Sequence, residues 1–165
     1  MSQLRIRHFD EDDWQDFWPI LRAVVDAGET YALDPSMTLA DAQEFWTGPA
    51  NANVVTVRDG STLLGSAKMG ANRPAQGSHV GTASFMVADE ARGRGVGRAL
   101  GEYVVQWHRD HGFRAIQFNA VVSTNTAAVR LWQSLGFEII GTVPGAFRRP
   151  SGEYADLHVM HLDLT

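Results

Sequence analysis

Residues 85–100 read Phe85-Met86-Val87-Ala88-Asp89-Glu90-Ala91-Arg92-Gly93-Arg94-Gly95-Val96-Gly97-Arg98-Ala99-Leu100. A β-branched and aromatic run feeds a loop whose glycines alternate at Gly93, Gly95 and Gly97, and a helical pattern follows. Glycine lets the main chain approach a ligand closely, and the first N–H groups of a helix have no partner within it. Oriented N–H dipoles and the helix field both favour negative charge, so such a turn suits a diphosphate. Spacing narrows the ligand. The pattern is G-x-G-x-G rather than the dinucleotide G-x-G-x-x-G, and no acidic residue stands about 20 positions on, after a second strand, to hold a ribose. No Gly-Lys-Ser or Gly-Lys-Thr occurs, which removes the phosphate-loop signature.

Working outward, Leu4 to Phe9 alternates and predicts a first strand. Trp14, Phe17, Trp18, Leu21, Val24 and Val25 recur at helical spacing after an acidic start at Asp10–Asp13. Thr38-x-x-Asp41 has the form of a capping box for a short helix carrying Ala42, Phe45 and Trp46. Val54–Arg58 and Leu63–Met69 predict strands joined by an Asp59-Gly60 hairpin turn, and Asn72–Ser78 predicts a loop. Val80–Val87 is the strand ahead of the glycines, and the helix beyond them buries Val96, Leu100, Tyr103, Val104 and Trp107. A strand at Ala115–Val121, a helix at Thr126–Leu135, and strands at Glu138–Val143 and Tyr154–Leu162 complete the order. This order predicts an α+β, or mixed α/β, single domain over residues 1–165.

Composition excludes several functions. A net charge of -5 lacks the basic face that non-specific nucleic-acid binding requires. With no cysteine, the chain offers no disulfide, thiol nucleophile or cysteine metal site. No apolar stretch approaches the roughly 20 residues of a membrane helix, and the charged first residues do not read as a signal peptide. A cytoplasmic enzyme without membrane or nucleic-acid partners is expected, and the final strands and tryptophans allow a homodimer.

Written from Arg92, the loop is R-x-x-G-x-G between a strand and a long helix. That pattern resembles the acyl-coenzyme A site of the GNAT superfamily of N-acetyltransferases, and the order of elements is similar over almost the whole chain. The resemblance implies a twisted, largely antiparallel sheet of about seven strands with about four helices. It implies acetyl-CoA as cosubstrate, its pyrophosphate held around Arg92, Gly93, Arg94, Gly95, Val96, Gly97 and Arg98. A main-chain N–H near Met86 or Val87 is expected to polarise the acetyl carbonyl. The block from Asn125 through Leu135-Gly136-Phe137 resembles a second family motif, in which the asparagine touches the pantetheine arm or nearby water. Asn125 equally suits a helix cap, Leu131 and Leu135 suit core, and Gly136 suits a left-handed helix end.

Trp132 stands where many members of that family have a tyrosine as general acid. An indole N–H donates a hydrogen bond but supplies no proton at useful pH. Holding a thiol as thiolate at pH 7 costs roughly 2 kcal/mol, which a nearby donor can offset. Asn119 is such a donor, placed against strand propensity in Phe118-Asn119-Ala120-Val121. Asn119, Asn125, Trp132 and the stretch Gly141–Phe147 together resemble members that acetylate proline analogues such as azetidine-2-carboxylate.

Direct attack needs a neutral amine. An α-amino group costs about 1.4 kcal/mol to deprotonate at pH 7, a lysine amine nearly 5. His79–Val87 holds no Glu or Asp, where the family often has its base. His79, Tyr154, Asp156, His158, Glu29 and Tyr31 remain as candidates, and Tyr31 is preferred because the family's acceptor wall lies there. The expectation is a small-molecule N-acetyltransferase acting by direct attack in a ternary complex, on an amino acid or proline analogue. Acetylation of a protein or peptide is the alternative within that class, and a non-catalytic acyl-CoA sensor is the alternative outside it.

Overall fold

The computed structural model describes residues 3–165. Its elements run β1 (Leu4–His8), α1 (Trp14–Ala27), α2 (Leu39–Thr47), β2 (Asn53–Asp59), β3 (Thr62–Ala71), β4 (Val80–Val87), α3 (Val96–Asp110), β5 (Ala115–Val122), α4 (Thr126–Ser134), β6 (Glu138–Arg148) and β7 (Tyr154–Asp163). One seven-stranded sheet has the order β1-β2-β3-β4-β5-β7-β6. All neighbours are antiparallel except β4 and β5, so the α+β expectation holds.

Local chemistry explains where the helices begin and end. Asp10 caps the turn before α1, and Thr38 with Asp41 forms the expected capping box on α2. Gly136 at φ 97 closes α4: its N–H donates to Gln133 O and that of Phe137 to Trp132 O, a Schellman end. Phe17 packs against Trp46 with ring centroids 5.3 Å apart, so α1 and α2 share a face of the sheet. There the Trp46 indole donates to Ser66 Oγ, which donates to Val55 O, leaving both buried side chains satisfied. Asp13 ties α1 to β1 and β2. Burial alone would raise its pKa, but the Arg7 and Arg58 guanidiniums and the Asp10 N–H hold it below the usual carboxylate range.

The opposite face carries α3 and α4. His108 on α3 lies so close to Gly81 that a Cβ there would overlap the imidazole. Gly101 does the same for α4, since a Cβ would come within 2.7 Å of Leu135 and 3.0 Å of Trp132. Beneath α4, Phe118 stacks on Phe137 at 4.4 Å, and Trp132 meets Phe85 at 4.6 Å and Phe118 at 4.9 Å.

Two strands depart from the sequence reading. β6 runs to Arg148 rather than stopping at Val143, because its register shifts between Val143 and Phe147 and absorbs Pro144 and Gly145. An edge strand tolerates proline where no ladder bond is needed, and the Gly145 N–H donates to Asp156 Oδ1 at 2.8 Å. Likewise β5 shifts register between Phe118 and Val121, so Asn119 lies in a bulge.

His108 was absent from the expected helix face, yet it is fully buried. Its Nδ1 lies 2.8 Å from Val104 O and its Nε2 has no partner among the described residues. Burial holds its pKa below the ordinary value of 6.5. As pH falls below that value the unfolded chain takes up a proton that the folded protein refuses, so stability declines. His108→Gln should therefore flatten the fall in urea-unfolding free energy between about pH 7 and pH 5. Equal slopes in both proteins would contradict this account.

Candidate active site

β4 and β5 pair only at Val80↔Ala115 and Gly81↔Ile116 before they diverge. Because one N–H of β4 and one C=O partner repeat every second residue, the direction of each group is readable. Ala88 N–H donates to Leu64 O on β3, and Asn72 N–H on that side donates to Val80 O. Even-numbered residues of β4 therefore bond to β3, and the main chains of Ala83, Phe85 and Val87 turn toward the gap. Phe85 is taken: the Tyr31 hydroxyl donates to its carbonyl at 2.7 Å and accepts from its N–H at 2.8 Å. Met86 bonds toward β3 and its side chain is buried, so of the two expected oxyanion positions it is Val87 whose N–H faces the gap.

The gap opens into a cleft of about 1200 Å³ that continues over the glycine loop and α4. At the loop, Gly93 and Gly95 adopt φ 73 and 77, a left-handed backbone that other residues rarely take. Arg92 N–H and Arg94 N–H turn back to Asp89 O and Ala91 O, and the first bond of α3 runs from Ala99 N–H to Gly95 O. The N–H groups of Gly93, Gly95, Val96, Gly97 and Arg98 thus have no protein acceptor among the described residues. Five unpartnered donors around a helix start form the kind of main-chain arrangement that suits an anion. Gly97 also packs, with a Cβ there 3.2 Å from Leu131.

The arginines differ in placement. Arg92 and Arg98 line the cleft, the first beside Asp89 and the second bonded to Ser134 Oγ and Glu102. Arg94 is a correction to the expected set. Its guanidinium pairs with Asp59 at 2.7 Å at the β2–β3 hairpin, and its side chain does not line the cleft. Asn125 both lines the cleft and caps α4, its Oδ1 accepting from Ala128 N–H at 3.3 Å. Asn119 lines the cleft too, but its amide is engaged: Nδ2 donates to Asn72 Oδ1 at 2.7 Å and Oδ1 accepts from Gln117 at 2.9 Å. One amide hydrogen of Asn119 stays uncommitted. Trp132 forms part of the cleft wall.

Of the six base candidates, only Glu29 and Tyr31 reach the cleft. His79 is exposed at the start of β4, Tyr154 is exposed, Asp156 accepts from Gly145, and His158 sits 2.9 Å from Thr142 Oγ1. Tyr31 is a poor base. Burial pushes its hydroxyl up to about 12, so it stays protonated, and both its bonding directions are filled by Phe85. Its task is to replace the ladder bonds that β5 withdraws. Sequence reasoning missed Arg149, Leu157, Thr82 and Ser84, all of which line the cleft with Phe147. Arg149 reaches Glu29 Oε2 at 2.9 Å across a separation of 120 residues, which no local pattern signals.

The chain matches the acetyltransferase (GNAT) family over residues 7–137. It is 30% identical over 151 residues to the N-acetyltransferase aca1 of Schizosaccharomyces pombe, covering 82% of this chain and 72% of that protein. It is 36% identical over 144 residues to the L-methionine sulfoximine/L-methionine sulfone acetyltransferase of Pseudomonas paraeruginosa, covering 83% and 82%. A solved GCN5-related N-acetyltransferase from Kribbella flavida superposes with a TM-score of 0.94 at 53% identity, covering 98% of each chain.

Tyr31→Phe removes one hydroxyl and strands two main-chain groups of Phe85. Leaving buried polar groups unpaired costs about 1–3 kcal/mol, so urea unfolding should show a loss of that size. A loss near zero would mean that the hydroxyl is dispensable to β4.

Proposed function

The chain belongs to the GNAT acetyltransferase family, whose cosubstrate is acetyl-CoA, and from that premise we propose an N-acetyltransferase of small amines such as an amino acid or proline analogue. One observation carries the reading: the parting of β4 from β5 leads directly to the five unpartnered N–H groups at the head of α3. A diphosphate finds its donors there, and a thioester arm finds an open strand edge along Ala83 and Val87. The residues present fit this cosubstrate. What acetyl-CoA supplies is a thioester carbonyl carbon open to attack by an amine.

In the proposed reaction, Gly93 and Gly95 to Arg98 hold the diphosphate, with Arg92 and Arg98 adding positive charge. Val87 N–H points at the acetyl oxygen and stabilises the negative charge that develops on it, a contact worth orders of magnitude in rate. A neutral amine attacks the thioester carbon directly. The carbon–sulfur bond breaks as the amide bond forms, the thiolate departs with the electron pair, and the proton lost by the amine passes through water to that thiolate, giving the free thiol. Trp132 and the free amide hydrogen of Asn119 donate hydrogen bonds at the sulfur and acceptor end, offsetting the cost of a thiolate. Asn125 holds the head of α4 against the arm.

A small acceptor is supported by the polar and aromatic side chains of Glu29, Tyr31, Thr82, Phe147 and Arg149, which line the same cleft as the glycine loop. It is also supported by the relative whose named substrates are methionine sulfoximine and methionine sulfone.

A thiol-release assay with acetyl-CoA and parallel panels of free amino acids, proline analogues, polyamines and peptides tests the reading. Release with small amino compounds is expected, and release only with peptides would move the acceptor class. Gly95→Val should retain the fold, since its added Cβ meets nothing within 4 Å, yet distort the φ 77 turn and abolish the calorimetric heat of acetyl-CoA binding. Unchanged heat would show that the loop does not grip the cosubstrate.

A further inference from the structure

We propose that the Glu29–Arg149 ion pair reads the two charges of an α-amino acid and makes this enzyme select acceptors that carry a free α-carboxylate. The inference rests on the acetyltransferase reading above and assigns specificity to two cleft residues that the proposed reaction leaves without a role.

The pair is built from segments far apart in sequence. Glu29 follows Gly28, whose left-handed φ of 62 ends α1, and Arg149 follows the last residue of β6. The two segments pack together, a Cβ at Gly28 lying 3.2 Å from Pro150 Cγ. The hairpin carrying Arg149 is closed by bonds from Arg149 N–H to Glu153 O and from Gly152 N–H to Arg149 O. Both charged groups are therefore held on pinned backbone, and both line the cleft.

Their valences are only part used. Arg149 Nε donates to Glu29 Oε2 at 2.9 Å, and Nη1 reaches the exposed Glu153 at 3.2 Å. Arg149 Nη2 and Glu29 Oε1 have no protein partner among the described residues. Open N–H donors on the guanidinium and an open oxygen on the carboxylate thus flank the bond that joins the pair. The carboxylate and ammonium of an α-amino acid are separated by a single carbon and carry the complementary charges in that order. Arg149 would take the carboxylate by charge-assisted bonds, and Glu29 would hold the nitrogen. An acceptor lacking the carboxylate leaves the guanidinium without its partner, which is how polar sites reject analogues.

Position favours this role over a simple strap. Glu29 lies two residues from Tyr31, which is bonded to Phe85, and Phe85 is two residues from the Val87 N–H. A nitrogen held by Glu29 is thereby fixed relative to the thioester end of the cleft. Phe147, Val122 and Leu157 form an apolar cluster that lines the same cleft and offers a seat for an uncharged side chain.

The test compares leucine, methionine, phenylalanine and proline, each with its carboxamide and its decarboxylated amine, by thiol release from acetyl-CoA. The wild type should favour the amino acid over its amide by about tenfold or more in kcat/KM. Arg149→Gln should bring that ratio near one by lowering kcat/KM for the amino acid far more than for its amide. Arg149→Lys should recover only part of the preference, and Glu29→Gln should raise the KM for every amine. Thermal unfolding of each variant identifies loss of fold; a Tm shift with the preference unchanged means a structural strap and overturns the proposal. Wild-type preference for amides, polyamines or peptides also overturns it while leaving the transferase reading intact. If no compound releases thiol, the acetyltransferase reading fails and this inference falls with it.

Discussion

When β4 and β5 part after Gly81 and Ile116, two strand edges lose their ladder within the protein, and every main-chain group left there needs another partner. The fold answers at each level. Tyr31 replaces both bonds at Phe85, Ala83 and Val87 stay open, and β5 turns its other edge to β7. Below the opening, Phe85, Phe118, Trp132 and Phe137 fill the wedge that separated strands would leave empty. A sheet split in this way costs ladder energy, and the aromatic cluster offsets it by packing. The cleft is thus the result of one withheld pairing together with the side chains that keep it withheld.

The two ends of the cleft are built by different means. At the glycine loop the wall is main chain: left-handed Gly93 and Gly95 expose amides, and side-chain identity there matters through its absence. Elsewhere the wall is side chain: Glu29, Tyr31, Phe147 and Arg149 reach it from the α1–α2 segment and the β6–β7 hairpin. Backbone donors bind any diphosphate of suitable shape, whereas converging side chains discriminate among acceptors.

That division also explains what the sequence disclosed. Gly93, Gly95 and Gly97 lie within five residues and the conformational demand of the turn is local, so a glycine turn opening a helix is readable before any tertiary structure. The capping box at Thr38 and Asp41 and the helix end at Gly136 were readable for the same reason. Arg94 misled because its neighbours suggested a phosphate ligand, while Asp59, 35 residues earlier, claims its guanidinium. His108 was passed over as polar although Gly81 makes room for its ring. The strand beyond Val143 was hidden because Pro144 and Gly145 mimic a chain break, and only pairing with β7 shows a bulge. Tyr31 was found by position alone, and its bond to Phe85 spans 54 residues that no periodicity links.

Trp132 has a use that its place in the wedge creates. Its ring touches Phe85 and Phe118 on one side and borders the cleft on the other. Trp14 and Trp46, by contrast, are buried in the separate core beneath α1 and α2. Indole emission responds to the polarity and polarisability around the ring, so light from Trp132 carries a built-in optical record of what fills the opening, without any attached dye.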